Sequence, residues 1–434
     1  MKEKRKETRR DFIKKSAGAA ALLSMPTIVS SSVFGANDKT TVAVIGVNGR
    51  GGSHISGFMQ QPDSEVVCLC DCDLNVLNRR VSEFEKKYNK KLIQQQDLRR
   101  VFEDKSIDAV SIAMPNHWHS LATIWACQAG KDVYVEKPGS HNIHEGRKMV
   151  EAANKYDRIV QHGVQLRSSV AVQEAIKHLR DGLIGNVYMA RGLVFRWRGD
   201  IGKKGPGKIP EGLDYDLWTG PAEMLPYSED WVHYNWHWQW NYGNGDVGNQ
   251  GIHETDLCMW GLDVGLPEII TAGGGKFLFD DSKETPEVLA STYIYPKEKK
   301  MIEFEVRPWI TNSENGATVG NIFYGSEGYL VVYNYDRYES FLGRNNKPGP
   351  SRREGGDHYA NFIKAVRAHD KSILNGPVET AHLSSGLAHL GNIAYRTGRT
   401  LYFDPATEKF VKDKKADKYL TRPPRKPFVV PDVV

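Results

Sequence analysis

A glycine-rich turn and a following aspartate are the first residues suited to chemistry. Residues 42–45 are apolar and predict a buried strand, and the chain from residue 53 onward has the pattern of a helix. The turn between them contains four glycines: Gly46, Gly49, Gly51 and Gly52. Such a turn directs backbone N–H groups and the positive end of the helix at one point, where a pyrophosphate can bind. Asp71 ends the next strand, and its carboxylate suits the hydroxyls of an adenosine ribose. Asn48 replaces a glycine of the strict motif, so a merely tight turn is the alternative.

The elements that must position these residues alternate in type along the first third of the chain. The pattern predicts helices and strands in the order 74–88 (helix), 107–113 (strand), 120–130 (helix) and 132–135 (strand). This alternation indicates an α/β domain with a parallel, doubly wound sheet. Ligands bind beyond the carboxyl ends of such strands. We therefore expect the glycine turn, Asp71, residues 115–119 and residues 136–138 to converge there.

A second group of chemically suited residues lies between residues 195 and 242. Six of the ten tryptophans of the chain fall in this stretch, with tyrosine, histidine and arginine between them. Flat apolar faces next to hydrogen-bonding groups suit a pyranose ring. Aromatic residues this dense also build cores, so we expect about half of them to serve packing. The glycine- and lysine-rich stretch 199–212 predicts a loop over the cleft.

Together the motifs of the first third resemble those of the Gfo/Idh/MocA oxidoreductases, named for glucose–fructose oxidoreductase and inositol dehydrogenase. The resemblance rests on the turn with its Arg50, the terminal Asp71, the Pro-x-x-x-His segment that ends at His119, and Glu136-Lys137-Pro138. It extends over about residues 40–405 and implies a Rossmann domain followed by an α+β domain with a large open, mainly antiparallel sheet.

The resemblance implies an NAD site in the first domain. Its expected residues are Gly46, Asn48, Gly49, Arg50, Gly51, Asp71, Pro115, His119, Glu136, Lys137 and Gln165. Because Asp71 ends the second strand, NAD is favoured over NADP, and Arg50 leaves NADP as an alternative. His119 has a structural cap on the following helix as its alternative role. Glu136 is expected to fix the loop or a ribose rather than to transfer protons.

The resemblance also implies that Lys137 and His253 are catalytic. An ammonium near the reacting carbon stabilises a developing alkoxide, and an imidazole can accept a proton. The expected substrate residues are Arg167, Trp236, His237, Asn249, His253 and Asp256. Many family members carry aspartate at the position of Asn249, which cannot take a proton. This difference leaves room for a variant in which oxidation only activates the sugar.

Composition excludes other classes of partner. Residues 1–36 carry eight Lys/Arg and three Asp/Glu, which alone accounts for the formal net charge of +5. The near-neutral remainder argues against nucleic-acid binding. The five cysteines predict neither a disulfide framework nor a metal site, because Cys68, Cys70 and Cys72 share one strand and no second Cys/His pair complements them.

The first 36 residues resemble a twin-arginine export signal. Arg9 and Arg10 precede a mildly apolar run, residues 17–33, that is too short and weak to span a membrane. We expect cleavage near Ala36 and a periplasmic protein; a disordered basic tail is the alternative.

The remaining chain predicts a second domain and a tail. We expect the NAD domain over residues 37–155, the substrate and oligomerisation domain over 156–405, and a C-terminal arm over 406–434. The arm is charged and proline-rich, which predicts either a segment lying over a neighbouring copy or a disordered tail. Residues 159–167 predict a linking strand. In the family the exposed face of the open sheet forms an oligomer interface, so a homo-oligomer is expected.

The most direct hypothesis is an NAD-dependent oxidoreductase that moves a hydride between nicotinamide and a secondary hydroxyl carbon of a sugar. Free NAD is expected to be scarce outside the cytoplasm. The second hypothesis is therefore a redox-neutral glycosidase with tightly held NAD, and the third is a carbohydrate-binding protein without turnover.

Overall fold

The computed structural model describes residues 39–309 and 312–434. Its first sheet has six parallel strands in the order β3-β2-β1-β4-β5-β6. The strands are β1 Thr40–Ile45, β2 Ser64–Cys70, β3 Ile93–Gln95, β4 Ala109–Ile112, β5 Asp132–Glu136 and β6 Val160–Gly163. The central strands are apolar runs without exposed residues because helices cover both faces of the sheet. This order confirms the predicted Rossmann fold.

Three of the five helices between these strands begin at a polar side-chain cap. The five are α1 Gly51–Met59, α2 Leu74–Tyr88, α3 Leu98–Glu103, α4 Asn116–Gln128 and α5 Ile143–Lys155. The carboxylate of Asp73 accepts a hydrogen bond from the N–H of Asn75 at the start of α2, and Asn142 caps α5 in the same way. Polar caps at the helix starts thus hold the sharp turns at the carboxyl edge of the sheet.

The second sheet has ten strands in the order β14-β13-β12-β11-β7-β10-β9-β8-β15-β16. Its neighbours are antiparallel except β7 and β10, which are parallel. The strands are β7 Val187–Phe195, β8 Ile269–Gly275, β9 Val288–Tyr295, β10 Lys300–Arg307, β11 Val319–Gly325, β12 Gly328–Tyr333, β13 Arg337–Leu342, β14 Lys347–Arg353, β15 Leu401–Asp404 and β16 Lys409–Phe410. The predicted large, mainly antiparallel sheet is confirmed.

Helices of the second half connect the two sheets. They are α6 Val170–Arg180, α7 Tyr215–Thr219, α8 Gly245–Asn249, α9 Ile252–Leu262, α10 His358–Ala368, α11 Val378–Thr397 and α12 Lys414–Asp417; three short 3₁₀ helices span Gln165–Ser168, Asn235–Trp238 and Lys371–Ile373. Helix α10 packs on the first sheet, where Phe362 shares a core with Val42 and Tyr134. Late parts of the chain therefore complete the core of the first domain.

Two predicted boundaries differ from the structure. The first sheet includes β6, so the Rossmann domain continues beyond residue 155 to Gly163. Residues 159–167 do not form one strand, because β6 ends at Gly163 and a 3₁₀ helix begins at Gln165. The segment turns there to bring the chain from the first sheet toward α6.

The C-terminal arm is ordered and lies against its own chain, which differs from the predicted disordered tail, while the predicted contact with a neighbouring copy stays a prediction. Arg422 donates to the carbonyl of His117 at 2.7 Å, and Arg425 donates to the carbonyl of Gly220 at 2.5 Å. The Phe428 ring is 1% exposed and lies edge-on to Trp118, with 5.4 Å between ring centroids. The arm thus covers an aromatic part of the first domain.

Replacing Phe428 with alanine is expected to lower the free energy of unfolding by about 3 kcal/mol, because a buried aromatic ring leaves a cavity beside Trp118 and Trp125. Urea unfolding followed by tryptophan fluorescence measures the change. Val433→Ala is the matched control, since that side chain is 85% exposed. Equal stabilities of the two variants would contradict a docked arm.

The predicted export signal lies outside the described residues. Across residues 39–309 and 312–434, no helix combines the length and apolar character needed to cross a membrane.

Candidate active site

A cavity of about 360 Å³ opens at the carboxyl edge of the first sheet. It brings together most of the residues predicted to bind cofactor or substrate: Gly46, Asn48, Gly49, Arg50, Asp71, Pro115, His119, Glu136, Lys137, Trp236, His237 and Asn249. The first nine lie at the carboxyl ends of β1, β2, β4 and β5 or in the loop or helix that follows, and the last three come from the second half of the chain. The cleft therefore lies where the two halves meet.

The glycine turn has no room for side chains at two of its positions. Gly46 has a φ of +82°, and a methyl group there would come within 2.8 Å of backbone atoms of Ala113 and Met114. A methyl group on Gly51 would lie 2.0 Å from the carbonyl oxygen of Gly46. Gly49 differs, because a methyl group there would meet no protein atom within 4 Å. This open space beside the start of α1 is a cradle that fits a pyrophosphate.

Asp71 stands beside the turn at the end of β2. Its carboxylate accepts hydrogen bonds from the N–H groups of Val47, at 2.9 Å, and Asp73, at 3.1 Å. Burial raises the pKa of Asp71 above its usual value. The acid is thus held rigidly at the cleft wall, where a ribose would bind. The turn, the cradle and the acid fit a dinucleotide such as NAD.

Glu136 is the centre of a buried hydrogen-bond network behind the cleft. Its Oε1 accepts from Arg50 Nε at 2.8 Å and Gln165 Nε2 at 3.2 Å, and it lies 3.0 Å from His54 Nε2. Burial alone would raise the pKa of Glu136, but the charge of Arg50 and the bond to His54 hold it well below its usual range. Glu136 stays ionised and holds its neighbours, including Arg50, while its predicted role at the loop or a ribose stays a prediction.

Replacing Glu136 with glutamine is expected to lower the free energy of unfolding by about 2 kcal/mol at neutral pH. This loss is smaller than that from breaking a fully buried ion pair, because the Arg50 side chain is 45% exposed. Because the folded pKa is depressed, the ionised form stabilises the fold above about pH 4.3, and this contribution is lost as pH falls toward the folded pKa. The difference between wild type and variant should therefore shrink on acidification. Urea unfolding at several pH values tests this, and a pH-independent difference would contradict it.

His119 connects two loops of the cleft. Its Nδ1 lies 2.6 Å from the carbonyl of Pro138 and its Nε2 lies 2.7 Å from the carbonyl of Met114. Burial lowers the pKa of His119, and a neutral imidazole donates one of these bonds at a time. His119 therefore lines the cleft and fixes the loop that carries Lys137, while its predicted contact with a cofactor stays a prediction.

Lys137 is held at the end of helix α8. Its Nζ donates to the backbone oxygen of Asn249 at 2.7 Å and to the side-chain oxygen of Asn249 at 3.2 Å. The carbonyl at the last residue of a helix has no intrahelical donor, so Lys137 satisfies it. Burial lowers the pKa of Lys137 from its ordinary value. A lysine with a lowered pKa that lines a cleft gives up its proton more readily than an ordinary lysine, which suits it to proton transfer.

Two histidines lie within electrostatic range of Lys137: His237 lines the cavity, whereas His253 is buried and is not among the residues that line it. Burial, reinforced by the charge of Lys137, lowers the pKa of His253 to about 3. Burial likewise lowers the pKa of His237 to about 3, and its ring stacks on Trp236 with 3.7 Å between centroids. Among the described residues, His253 Nδ1 is buried and has no hydrogen-bond partner. Both imidazoles are neutral at physiological pH and can accept a hydrogen bond.

Three predicted site residues have protein partners instead of facing the cleft. Arg167 forms two hydrogen bonds with Asp256, at 2.7 and 3.0 Å, and its guanidinium lies over the ring of Trp260. Gln165 donates to the hydroxyl of Tyr134 at 2.9 Å as well as to Glu136. Arg167 and Asp256 thus satisfy one another, and the structure does not bring them to a substrate; Gln165 supports Glu136 from behind.

The structure adds residues that the sequence pattern did not single out. Gln250 Nε2 donates to the hydroxyl of Tyr335 at 3.3 Å and to Glu254 at 3.2 Å, and its Oε1 accepts from Arg196 at 2.7 Å. The Tyr335 ring lies edge-on to His253, 5.1 Å away. Tyr335 is on the turn between β12 and β13, far along the chain from the helix that it meets. No local pattern marks such a residue in advance.

Comparison with known proteins identifies the family. The model of an oxidoreductase family with an NAD-binding Rossmann fold matches residues 40–164, and that of the C-terminal α/β domain of the same family matches residues 170–266 and 345–430. A glycosyl hydrolase family 109 protein from Saccharopolyspora erythraea is 27% identical over 169 residues, which covers 37% of this chain and 36% of that protein. Levoglucosan dehydrogenase from Pseudarthrobacter phenanthrenivorans is 32% identical over 105 residues, which covers 24% and 27% of the two chains.

These alignments span about a third of the length of the two relatives. A solved structure, aldose-aldose oxidoreductase from Caulobacter crescentus, superposes with a TM-score of 0.65 at 16% identity, covering 84% of this chain and 100% of the other, and this likeness shows the fold. With both domains matched in order and the NAD cradle in place, the chain belongs to the Gfo/Idh/MocA family of oxidoreductases.

Proposed function

We propose that this protein is an NAD-dependent oxidoreductase that acts on a secondary hydroxyl carbon of a sugar or sugar derivative. The observation that carries the proposal is the position of Lys137, whose amine lies in the same cleft as the glycine cradle and the aromatic residues of the second half. Bound NAD would supply the hydride acceptor and donor. The contribution of the protein is to bind the sugar, orient its hydroxyl and move one proton.

Lys137 is the residue proposed to move that proton. As a neutral amine it takes the proton of the substrate hydroxyl, and as an ammonium it stabilises the alkoxide or returns the proton. His253 is suited to a different task. A base with a pKa of about 3 does not hold a proton at neutral pH, but its free nitrogen can accept a hydrogen bond from a hydroxyl and so orient it. The sequence left this role open between the two residues, and the structure supports Lys137.

A segment of the second half supports tight retention of the cofactor. Residues 211–214, which we call the strap, pair with the start of α2: the N–H of Leu74 donates to the carbonyl of Gly212 at 3.0 Å and that of Asp214 to the carbonyl of Cys72 at 2.9 Å. His233 lies 3.0 Å from Asp73 in the same region. The strap bonds Cys72, the residue after Asp71, where the adenosine end of NAD is expected. A segment held there would slow cofactor exchange.

This observation favours a second candidate, a redox-neutral glycosidase with retained NAD. In that reaction the sugar is oxidised, the aglycone is eliminated and the product is reduced, so the cofactor never needs to leave. Asn249 in place of an aspartate and the likeness to a glycosyl hydrolase family 109 protein point in the same direction.

One experiment distinguishes the two candidates. Purified protein is first analysed by native mass spectrometry for NAD carried through purification, and is then mixed with nitrophenyl glycosides without added cofactor. Release of nitrophenol without accumulation of NADH would support the glycosidase. Accumulation of NADH with free sugars and added NAD would support the dehydrogenase. If no sugar changed the nicotinamide absorbance and no glycoside were cleaved, both proposals would be wrong.

We also propose periplasmic location after twin-arginine export, from the pattern of residues 1–36, and assembly of copies through the second sheet. N-terminal sequencing of the protein from a periplasmic fraction and light scattering of the purified protein test these two proposals.

A further inference from the structure

A second cavity lies behind one wall of the active-site cleft. Its volume is about 580 Å³, and small-molecule sites span roughly 300–1,000 Å³. Asn116 lines the cleft and Asn244 lines the second cavity, and Asn116 Nδ2 donates to Asn244 Oδ1 at 3.3 Å. Among the described residues, none lines both cavities. The second cavity is therefore a neighbour of the cofactor site but separate from it.

Three segments that are distant in sequence form the second cavity. They are residues 240–244 before α8, helix α11, and residues 418–423 of the C-terminal arm. The arm is held there by Arg422, whose guanidinium bonds Glu145 at 2.6 Å and the carbonyl of His117 at 2.7 Å. The docked arm thus supplies part of the cavity wall.

Three side chains of the lining carry a buried polar atom that has no hydrogen-bond partner among the described residues: Asn392 Oδ1, His141 Nε2 and Arg422 Nη1. Asn392 is 4% exposed, and its Nδ2 donates to the carbonyl of Asn244 at 2.9 Å. A buried polar atom without a partner costs free energy until water or a ligand supplies one. Asn392 Oδ1 accepts hydrogen bonds, whereas Arg422 Nη1 donates them. Because a hydroxyl group does both, a ligand with several hydroxyls can satisfy both atoms.

Arg396 is held over two aromatic rings at the same cavity. Its guanidinium carbon lies 4.8 Å from the ring centroid of Trp240 and 4.3 Å from that of Tyr419. In the described part of the chain its N–H groups bond no protein atom, so they are free to donate to a ligand. Contact with the rings restricts the orientation of the planar group. Flat aromatic surface next to hydrogen-bond donors suits the ring of a sugar.

The charged groups of the second cavity balance one another. With Arg422 paired to Glu145, the remaining charged residues of the lining are two cations and two carboxylates: Arg396, Lys418, Glu223 and Glu284. The two lining histidines are neutral at physiological pH, because burial lowers the pKa of His141 well below its usual value and that of His389 to about 3. The absence of net charge among these groups favours an uncharged ligand over an ion.

We propose that the second cavity is a carbohydrate site that binds one neutral sugar unit, distinct from the sugar that reacts in the cleft. Hydroxyl groups of this unit bond Asn392, Arg396 and Arg422. The inference goes beyond the proposed function. Binding in the second cavity requires no reaction in the cleft, so it can be measured whether or not the proposed reaction is found.

The test is hydrogen–deuterium exchange of the NAD-saturated protein during titration with methyl β-D-glucopyranoside, methyl β-D-galactopyranoside or N-acetyl-D-glucosamine. At least one of these neutral sugars should slow exchange in residues 240–244 and 418–423. Arg396→Met should need at least about tenfold more sugar for the same protection, since a hydrogen bond to a charged group contributes about 10- to 100-fold in affinity. Asn392→Leu should need about fivefold more, as expected for a bond between uncharged groups. Arg344→Met, at an exposed arginine on the turn between β13 and β14, should behave as wild type.

Both cavity variants should still gain thermal stability on adding NAD, because neither residue lines the cleft. Arg396 is exposed whereas Asn392 is buried, so Arg396→Met decides the matter if Asn392→Leu does not fold.

Four results would overturn the inference. Protection confined to residues 136–138 would place the sugar in the cleft alone, and no protection with any of the three sugars would mean that the second cavity holds only water. An unchanged titration in Arg396→Met would show that this residue does not contact the sugar. Protection by D-glucuronate at a tenfold lower concentration than by every neutral sugar would replace the assignment of a neutral ligand. If the expected protection appeared but no sugar changed the nicotinamide absorbance, only the proposed reaction would be wrong.

Discussion

Lys137→Met should lower kcat by about 1,000-fold while leaving NAD bound. Methionine has a similar length but neither exchanges a proton nor stabilises an alkoxide, and general acid–base catalysis contributes about 100- to 10,000-fold. Because burial lowers the pKa of Lys137, oxidation by wild type should rise as pH increases through that lowered pKa and then level off. The variant should lack this rise. Steady-state kinetics from pH 5 to 10 measure both effects.

The control is Lys297→Met, at a lysine on the turn between β9 and β10 whose side chain is 81% exposed. It should retain wild-type kinetics. A thermal shift on adding NAD shows whether each variant still binds the cofactor. If Lys137→Met kept more than about a tenth of the activity, Lys137 would not be the proton-transfer residue, because general acid–base groups contribute at least about 100-fold.

Gly46→Ala should destabilise the fold and abolish NAD binding together. The added methyl group meets backbone atoms of Ala113 and Met114 at 2.8 Å, and the φ of +82° is unfavourable for alanine, so a loss of about 3 kcal/mol is expected. Urea unfolding measures the stability, and calorimetric titration measures NAD binding.

Gly49→Ala, in the same turn, separates the two effects. Its methyl group meets no protein atom within 4 Å, so the stability should stay within about 0.5 kcal/mol of wild type while NAD binds at least about tenfold more weakly. Gly265→Ala, at an exposed glycine with the same open surroundings, should change neither quantity. Unchanged NAD affinity in Gly49→Ala would show that the cradle does not hold the pyrophosphate.

The parts of the site that were predictable are those encoded by short stretches of sequence. Each of these parts directly follows a strand that the sequence pattern predicts: the turn from Gly46 to Gly51, Asp71 and Lys137. Parallel strands bring their carboxyl ends to one edge of the sheet. The order of the strands was therefore enough to predict that these residues lie together.

The contacts between distant segments were not predictable in the same way. The bond from Arg196 to Gln250 and the contact of Tyr335 with His253 join segments from different strands and helices. Arg167 and Asp256 illustrate the opposite case. Each is a suitable substrate contact by type, but the two lie close enough to pair, and residue type alone does not show which polar partner a side chain will take.

The placement of α10 and the C-terminal arm has a consequence for biogenesis. Phe362 fills the interior of the NAD-binding half, and Phe428 covers two of its tryptophans, although both are synthesised long after that half. When the nucleotide-binding half emerges from the ribosome, its aromatic surface is still exposed to solvent. We therefore expect this half to depend on chaperones until translation ends. A nonsense mutation at codon 422, which removes Arg422, Arg425 and Phe428 together, should therefore yield aggregates rather than a slightly shortened enzyme.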